Sequence, residues 1–341
     1  MPRAAAAAVS SAPIVSVVIP ARNEERDIDR CLAAVAAQDY DPARLEVIVV
    51  VGASEDGTEW RAREAIARLG LSRAKVIVNP VATTPSNLNR GLEAATGDVL
   101  CRVDARSLIP SDYVSRCASV LSTMPEVAVT GGAQVAVPPT ADASGLGIAR
   151  ALNNKWAMGL SRYRRGAASG PADTVYLGAF RTADLRAAGG WDERLATNQD
   201  FELNRRMSRR GVVWFDAELS VGYVPRSNAG DLFRQYRRFG RWKVRYWRIT
   251  GDRPRGRQLA LIVAPLAAAG TVAACFVRRP QAGVAAVAGA LASAAVLEVT
   301  GSPEPRTPSL AAHARSLVAM GAVGTGWLLG IAEEAIGGPS R

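Results

Sequence analysis

Histidine and cysteine are scarce. The 341 residues contain one histidine, His313, and four cysteines, Cys31, Cys101, Cys117 and Cys275. No two cysteines stand in a CxxC spacing, which argues against both a zinc site and a disulfide framework. They read instead as small buried apolar side chains in a reducing compartment. The lone His313, close to Arg315, reads as an interfacial or satisfied side chain rather than a ligand. There is no internal repeat and no collagen-like composition, and with 48% hydrophobic residues the chain is not a disordered one. No export signal is expected, because the alanine run after Arg3 leads directly into a β-branched strand pattern.

Outside one stretch the chain also lacks net charge. Arg205 to Arg257 holds 15 Lys or Arg against 4 Asp or Glu, which accounts for the whole formal charge of +11. Such a local block points to a polyanion or an anionic membrane surface as neighbour. At roughly 150 residues per domain, the length allows two units, or one domain with an appendage.

What is present first is alternation. β-branched runs at Val15–Ile19, Leu45–Val51, Lys75–Val78, Val99–Val103 and Val127–Val137 predict strands. Apolar residues at helical spacing predict helices over Glu24–Ala37, Thr58–Leu69, Pro85–Ala95 and Ser111–Met124. This is the pattern of βαβ units and a mostly parallel sheet, an α/β fold that binds ligands at the carboxyl ends of its strands. A less regular section follows, with a Gly, Ser and Arg-rich loop over Ser161–Pro171, a short run Thr174–Phe180 and a helix pattern over Asp200–Arg210. Asp231–Ile249 is basic and aromatic, and its aromatic residues largely share one helical face. It predicts an amphipathic helix lying in a membrane interface. Leu259–Val277, Gln281–Leu297 and Leu317–Ala332 are apolar runs that predict membrane helices. The basic block before the first run fits the positive-inside pattern, whereas Arg278 and Arg279 oppose that orientation.

Chemistry-bearing residues collect just after the strand runs. They are Pro20-Ala21-Arg22-Asn23-Glu24-Glu25, then Gly52-Ala53-Ser54-Glu55-Asp56-Gly57-Thr58, Asn89-Arg90-Gly91 and Arg102-Val103-Asp104-Ala105-Arg106. Further on stand Gly178-Ala179-Phe180-Arg181, Gly189-Gly190-Trp191-Asp192-Glu193, Gln199-Asp200-Phe201-Glu202-Leu203 and the segment Gln235 to Trp242. Each alone is an ordinary strand-to-helix turn or helix start.

In this order and spacing they resemble glycosyltransferase family 2, of GT-A fold, and within it the membrane-attached succinoglycan-synthesis type. The resemblance covers roughly Ile14 to Trp242 and, more loosely, the apolar tail. It implies a Rossmann-like, mostly parallel sheet flanked by helices, with an interfacial amphipathic helix and carboxyl-terminal membrane helices. The expected division is a disordered tail over 1–13, a GT-A domain over 14–229, a basic interfacial helix region over 230–258 and membrane helices over 259–335. The resemblance implies an inverting hexosyltransferase with Asp200 as general base and Glu202 in support. Pro20, Arg22, Glu24, Asp56, Asn89, Asp104, Arg106, Arg241 and Trp242 are then expected around the nucleotide-sugar donor. Asp104 would carry a divalent cation, Mg²⁺ or Mn²⁺, which stabilises the charge building on the leaving phosphate.

Three positions depart from the family pattern. Val51 stands where an aspartate usually contacts the base, and valine cannot accept a hydrogen bond from a uracil imide. Arg106 replaces the second metal-motif ligand; it cannot ligate a cation but can neutralise a diphosphate, and it is expected to share that charge with the ion. Gln199 occupies the usual glutamate position before Asp200.

The leading expectation is transfer of a sugar from a nucleotide-sugar to a lipid-linked or polymeric saccharide, by a catalytic domain at the cytoplasmic face of the cell membrane. Two alternatives stand beside it: a polyprenyl-phosphate sugar synthase, and an inactive scaffold of the same fold that binds glycans or a partner enzyme. A nucleic-acid partner is not expected, because the basic block lies beside apolar spans rather than in a recognised RNA module.

Overall fold

The computed structural model describes residues 12–158, 168–254, 256–302 and 309–337. Most of the expected tail and most of the Ser161–Pro171 loop lie outside the described residues.

The first half of the chain alternates as its periodicity requires. The elements run β1 (Val15–Ala21), α1 (Ile28–Ala36), β2 (Leu45–Gly52), α2 (Thr58–Arg68), β3 (Ala74–Asn79), α3 (Thr84–Ala94) and β4 (Val99–Arg102). A two-residue β5 (Ser107–Leu108), α4 (Tyr113–Thr123), β6 (Val127–Ala136) and α5 (Ala143–Asn153) follow. The second half adds β7 (Gly170–Pro171), β8 (Tyr176–Arg181), α6 (Thr182–Ala187), α7 (Gln199–Met207) and β9 (Val212–Tyr223). Four long helices close the chain: α8 (Ala229–Thr250), α9 (Gly256–Arg278), α10 (Pro280–Gly301) and α11 (Leu310–Ile336).

The strands form one sheet in the order β3-β2-β1-β4-β8-β6-β9-β5, with β7 on β9. β1 to β4 pair in parallel, and β8 runs antiparallel between β4 and β6. β1 and β2 are buried along their full length, as parallel strands covered on both faces must be. Alternate side chains feed opposite layers: Val17 and Ile19 join the core under α1 and α4, while Val18 packs with Leu88 and Leu100 on the other face. Inserting β8 beside β4 brings Tyr176, and the turn leading to α7, to the carboxyl edge of the parallel strands.

Among the described residues, three helices are long and apolar enough to cross a membrane: Gln258–Arg278, Pro280–Gly301 and Leu310–Ile336. They are not equivalent. None of the apolar window of α9 is buried, whereas a third of that of α11 is. The basic helix α8 lies along α11, and Gly330 allows their approach; a Cβ there would come within 2.0 Å of the Arg237 carbonyl oxygen. Arg237 and Arg241 pair with Glu333, and Arg245 and Arg248 pair with Glu334. At the other end Arg150 of α5 reaches Glu298 at 2.5 Å, and His313 lies 2.7 Å from the same carboxylate, so the single histidine is satisfied. α9 and α10 instead present Leu266 (61% exposed), Val277 (88%) and Leu291 (67%) to the surroundings. This much apolar surface has no place in water. The full chain is therefore expected to sediment with membranes, resist extraction by high salt or alkaline carbonate, and be released by detergent. Recovery as a clean monomer without detergent would sink the membrane assignment.

Candidate active site

The site forms where β4 ends. Arg102 is the last residue of that strand and is 5% exposed, an unusual place for a guanidinium. It is there because it has two carboxylates to hold. Its Nε donates to Asp104 Oδ1 at 2.7 Å and its Nη2 to Asp104 Oδ2 at 3.1 Å, a bidentate pair. Its Nη1 donates to Asp200. Burial alone disfavours the charged guanidinium, but Asp104 and Asp200 together outweigh it and hold the Arg102 pKa above its ordinary value.

Asp200 stands in the first turn of α7. Asn198 at the start of that helix has φ 68°, a left-handed conformation that asparagine tolerates. The turn so formed aims Asp200 at Arg102. The Asp200 side chain is 44% open, onto the cavity that it lines. Enclosure is the largest influence and raises its pKa; Arg102 lowers it and Asp104 raises it, with a net upward shift.

Glu202 acts at one remove. It pairs with Arg206 at 2.6 Å, and Arg206 donates to the Gly190 carbonyl at 2.7 Å. The Gly189–Glu193 loop is pinned from the other side by Asn89, whose Oδ1 accepts from the Trp191 N–H at 2.8 Å and whose Nδ2 donates to Glu193 at 2.9 Å. Gly190 has φ +65°, and a Cβ there would meet Asn89 Oδ1 at 2.4 Å, so this loop requires glycine. Asn89 and Glu202 thus hold the loop that carries the buried Trp191.

The other expected donor residues line the edges of β1 and β2. Pro20 is buried in β1 opposite Val50. Arg22 donates to the Ala53 and Ala82 carbonyls. Asp56 accepts from the Thr58 and Glu25 N–H groups and closes the turn into α2; burial acts to raise its pKa, but these hydrogen bonds prevail and lower it. Val51 is 2% exposed and packs in the core, so that position offers the site no polar group.

Of the nine expected donor residues only Asp104 lines the cavity with Asp200. Arg106 donates to Glu24 at 2.8 Å and also lies 3.7 Å from Asp27, turned away from Asp104. Burial raises the Glu24 pKa, with Arg106 opposing it. Arg241 is engaged with Glu333, and Trp242 stacks under Arg245 at 5.1 Å. One helical step away, Lys243 faces inward in their place, buried among aromatic rings.

Asp104 and Asp200 open onto a cavity of about 630 Å³. Tyr176, Asn198 and Phe201 wall its sheet end, and Gln235, Tyr236 and Lys243 of α8 wall its flank. Leu261 and Pro265 of α9 and Val323, Trp327 and Leu328 of α11 also line it. Arg102 and Lys243 escape a motif-based reading of the sequence. The signal for Arg102 was a charge inside an otherwise apolar strand, which requires a buried partner.

A strand-edge aspartate facing a second, helix-borne carboxylate across a cavity is an arrangement suited to group transfer between two substrates. Residues 16–165 match the family described as glycosyl transferase family 2. The chain is 31% identical over 258 residues to the succinoglycan biosynthesis protein ExoA of Rhizobium meliloti, covering 74% of this chain and 76% of that protein. It is 26% identical over 243 residues to the glycosyltransferase AglE of Haloferax volcanii, covering 70% and 76% respectively. Among solved structures, the mannosyltransferase PcManGT from Pyrobaculum calidifontis, in complex with GDP-Man and Mn²⁺, superimposes with a TM-score of 0.65 over 96% of this chain and 88% of its own, at 19% identity. The chain belongs to glycosyltransferase family 2, and its sheet has the GT-A architecture.

Proposed function

We propose that this protein is a membrane-bound inverting glycosyltransferase. It moves a hexosyl group from a nucleotide-sugar held at the carboxyl ends of β1, β2 and β4 to a lipid-linked or polymeric saccharide. The observation that carries this reading is the sharing of Arg102 by Asp104 and Asp200 at the head of the cavity. It sets a carboxylate suited to the leaving diphosphate beside a carboxylate suited to the acceptor hydroxyl.

Asp200 takes the proton of that hydroxyl. Its raised pKa brings it nearer to the working pH, which favours a general base. Arg102 prevents the two carboxylates from repelling each other before substrate arrives. The site fits a divalent cation in one way. Both Asp104 oxygens accept from Arg102, but a carboxylate has about four lone-pair positions, so room for a metal bond remains. Among the described residues no three His, Cys, Asp or Glu side chains cluster, so the other ligands would be donor phosphates and water, as Mg²⁺ and Mn²⁺ sites allow. The cation would supply Lewis-acid stabilisation of the leaving diphosphate. The GDP-Man and Mn²⁺ bound to PcManGT, which shares the fold, support this donor and cofactor class. The basic helix α8 ahead of α9 favours the catalytic domain on the cytoplasmic side, since its block far outweighs Arg278 and Arg279.

The test is thermal shift of the full chain in detergent with GDP-, UDP- and dTDP-sugars, with and without Mn²⁺. One nucleotide-sugar is expected to raise Tm only with the cation; at a hundredfold excess over Kd, binding adds about 2.7 kcal/mol of stability. If no nucleotide-sugar shifts the transition, the scaffold alternative replaces the enzyme.

A further inference from the structure

The three apolar helices have different neighbours. α9 leaves the catalytic domain and α10 returns to it. Gln258 and Leu261, in the first turns of α9, line the cavity. At the end of α10, a Cβ on Gly301 would meet the Trp156 ring at 2.4 Å, and the Gly301 carbonyl accepts from the Lys155 N–H at 3.0 Å. The turn between the two helices, Arg278-Arg279-Pro280, stands at the opposite end of both, where Gly283 lies against the Phe276 ring. None of the apolar window of α9 and 11% of that of α10 is buried. Spans of 21 and 22 residues are about 32 Å long at 1.5 Å per residue, close to the roughly 30 Å of a bilayer's hydrocarbon core.

α11 instead lies on the protein along its whole length. Its buried residues recur every three or four positions, from Ala312 through Ala319, Val323 and Gly326 to Glu334, and form one continuous stripe. The first half of the stripe packs on α5. Ala319 and Val323 share a core with Ile148 and Leu152, and a Cβ on Gly147 would meet the Arg315 side chain at 2.5 Å. The second half packs on α8. A Cβ on Gly326 would come within 2.7 Å of the Phe233 carbonyl oxygen, and one on Gly240 within 2.1 Å of that of Trp327. α8 carries seven Lys or Arg in 22 residues. Glu333 and Glu334 engage four of them, but Arg234 and Arg238 are exposed. Arg234 follows Phe233, which touches Gly326 near the middle of α11. A bilayer-spanning α11 would therefore draw these exposed charges into the hydrocarbon, where they are costly.

We propose that the chain crosses the bilayer twice, through the α9–α10 hairpin alone, and that α11 lies beside α8 in the headgroup layer on the catalytic domain's side. The partner of this surface is a lipid interface. Apolar side chains on the open face of α11, Val318 at 55% and Leu329 at 43% exposed, stand beside the cations of α8. Apolar and basic faces set side by side suit the boundary between acyl chains and anionic headgroups. The run Leu317–Ala332, expected as a membrane helix, is thus part of an interfacial one, and Gly337 stays on the side of the catalytic domain. A third crossing would put it on the other. The proposal goes beyond the transferase reading and stands whatever group is transferred.

The test uses the full chain carrying Cys275→Ser, whose other native cysteines are buried. Single cysteines are placed at exposed positions: Glu93→Cys on α3, Gln281→Cys at the hairpin turn and Gly337→Cys after α11. Each is treated with a membrane-impermeant maleimide in sealed cells and in inverted membrane vesicles. Gln281→Cys is expected to react on one side only, and Glu93→Cys and Gly337→Cys on the other only. Reaction of Gly337→Cys on the side of Gln281→Cys overturns the interfacial α11; reaction of all three on one side overturns the crossing hairpin. Protection of Cys31, Cys101 and Cys117 in each variant, read by mass spectrometry, reports that it is folded. Depth is read separately, in phospholipid vesicles with a nitroxide at the headgroup or at the acyl-chain end. Gly289→Cys and Gly321→Cys, each with open space around an added Cβ, carry an environment-sensitive fluorophore. The acyl-chain nitroxide should quench the label on α10 more strongly, and the headgroup nitroxide the label on α11. Equally deep quenching at both positions places α11 in the hydrocarbon and overturns the proposal.

Discussion

Asp200→Asn is expected to lower turnover by about 10²–10⁴-fold, the usual contribution of a placed general base, with donor affinity nearly unchanged. Asparagine keeps the shape, and its carbonyl can still accept from Arg102, so the head of the cavity should hold its geometry. What it loses is the ability to take a proton from the acceptor hydroxyl. Donor affinity should survive because Asp104, just beyond β4, keeps its bidentate partner Arg102. A loss confined to kcat assigns proton transfer to Asp200. An equal loss of donor binding would make Asp200 a donor-site residue, and full turnover would remove it from the chemistry.

The parallel half of the sheet was legible because its strands are uninterrupted β-branched runs. β9 was not, although at Val212–Tyr223 it is the longest described strand. Asp216, Glu218 and Ser220 break its apolar pattern, and only the fold shows that Asp216 is 4% exposed and held at 3.0 Å by Arg116, a hundred positions earlier in the chain. The Thr174–Phe180 run was visible, but its antiparallel insertion between β4 and β6 is a tertiary choice that local pattern does not encode. At the site, the family resemblance singled out Asp104 and Asp200, and the structure sets both carboxylates against Arg102. The partition of the arginines was not. From Arg234 to Arg248 any cation could have faced a diphosphate, and the outcome depends on how α8 is rotated against α11. Glu333 and Glu334 engage the stripe Arg237, Arg241, Arg245 and Arg248, which leaves Lys243 on the cavity side. Those two glutamates lie some 90 residues downstream, beyond the reach of any local reading. The pairing of Arg106 with Glu24, across 82 positions, is equally beyond a local reading.

Asp104→Ala is expected to abolish measurable transfer, and removal of divalent cations from the unaltered protein should do the same. Asp104 is the carboxylate two residues beyond the end of β4, and 31% of its side chain remains open. Lewis-acid stabilisation of a leaving diphosphate is worth several kcal/mol. At about 1.4 kcal/mol per tenfold, its loss costs roughly 10³-fold or more in rate. Two arginines could in principle take the cation's place, and the geometry separates them. Arg106 is already paired with Glu24 and would have to leave it, exposing a half-buried carboxylate. Arg102 needs to move less, but without Asp104 its charge would fall wholly on Asp200 and make that base harder to protonate. Asp104→Ala should therefore harm both the leaving-group side and the acceptor side, whereas chelation harms the first alone. The expected signature is that Mn²⁺ restores chelated protein fully and never restores Asp104→Ala. Full activity in excess chelator would falsify metal dependence; if Arg106→Ala then abolished that activity, the leaving diphosphate would be assigned to the Arg106 guanidinium.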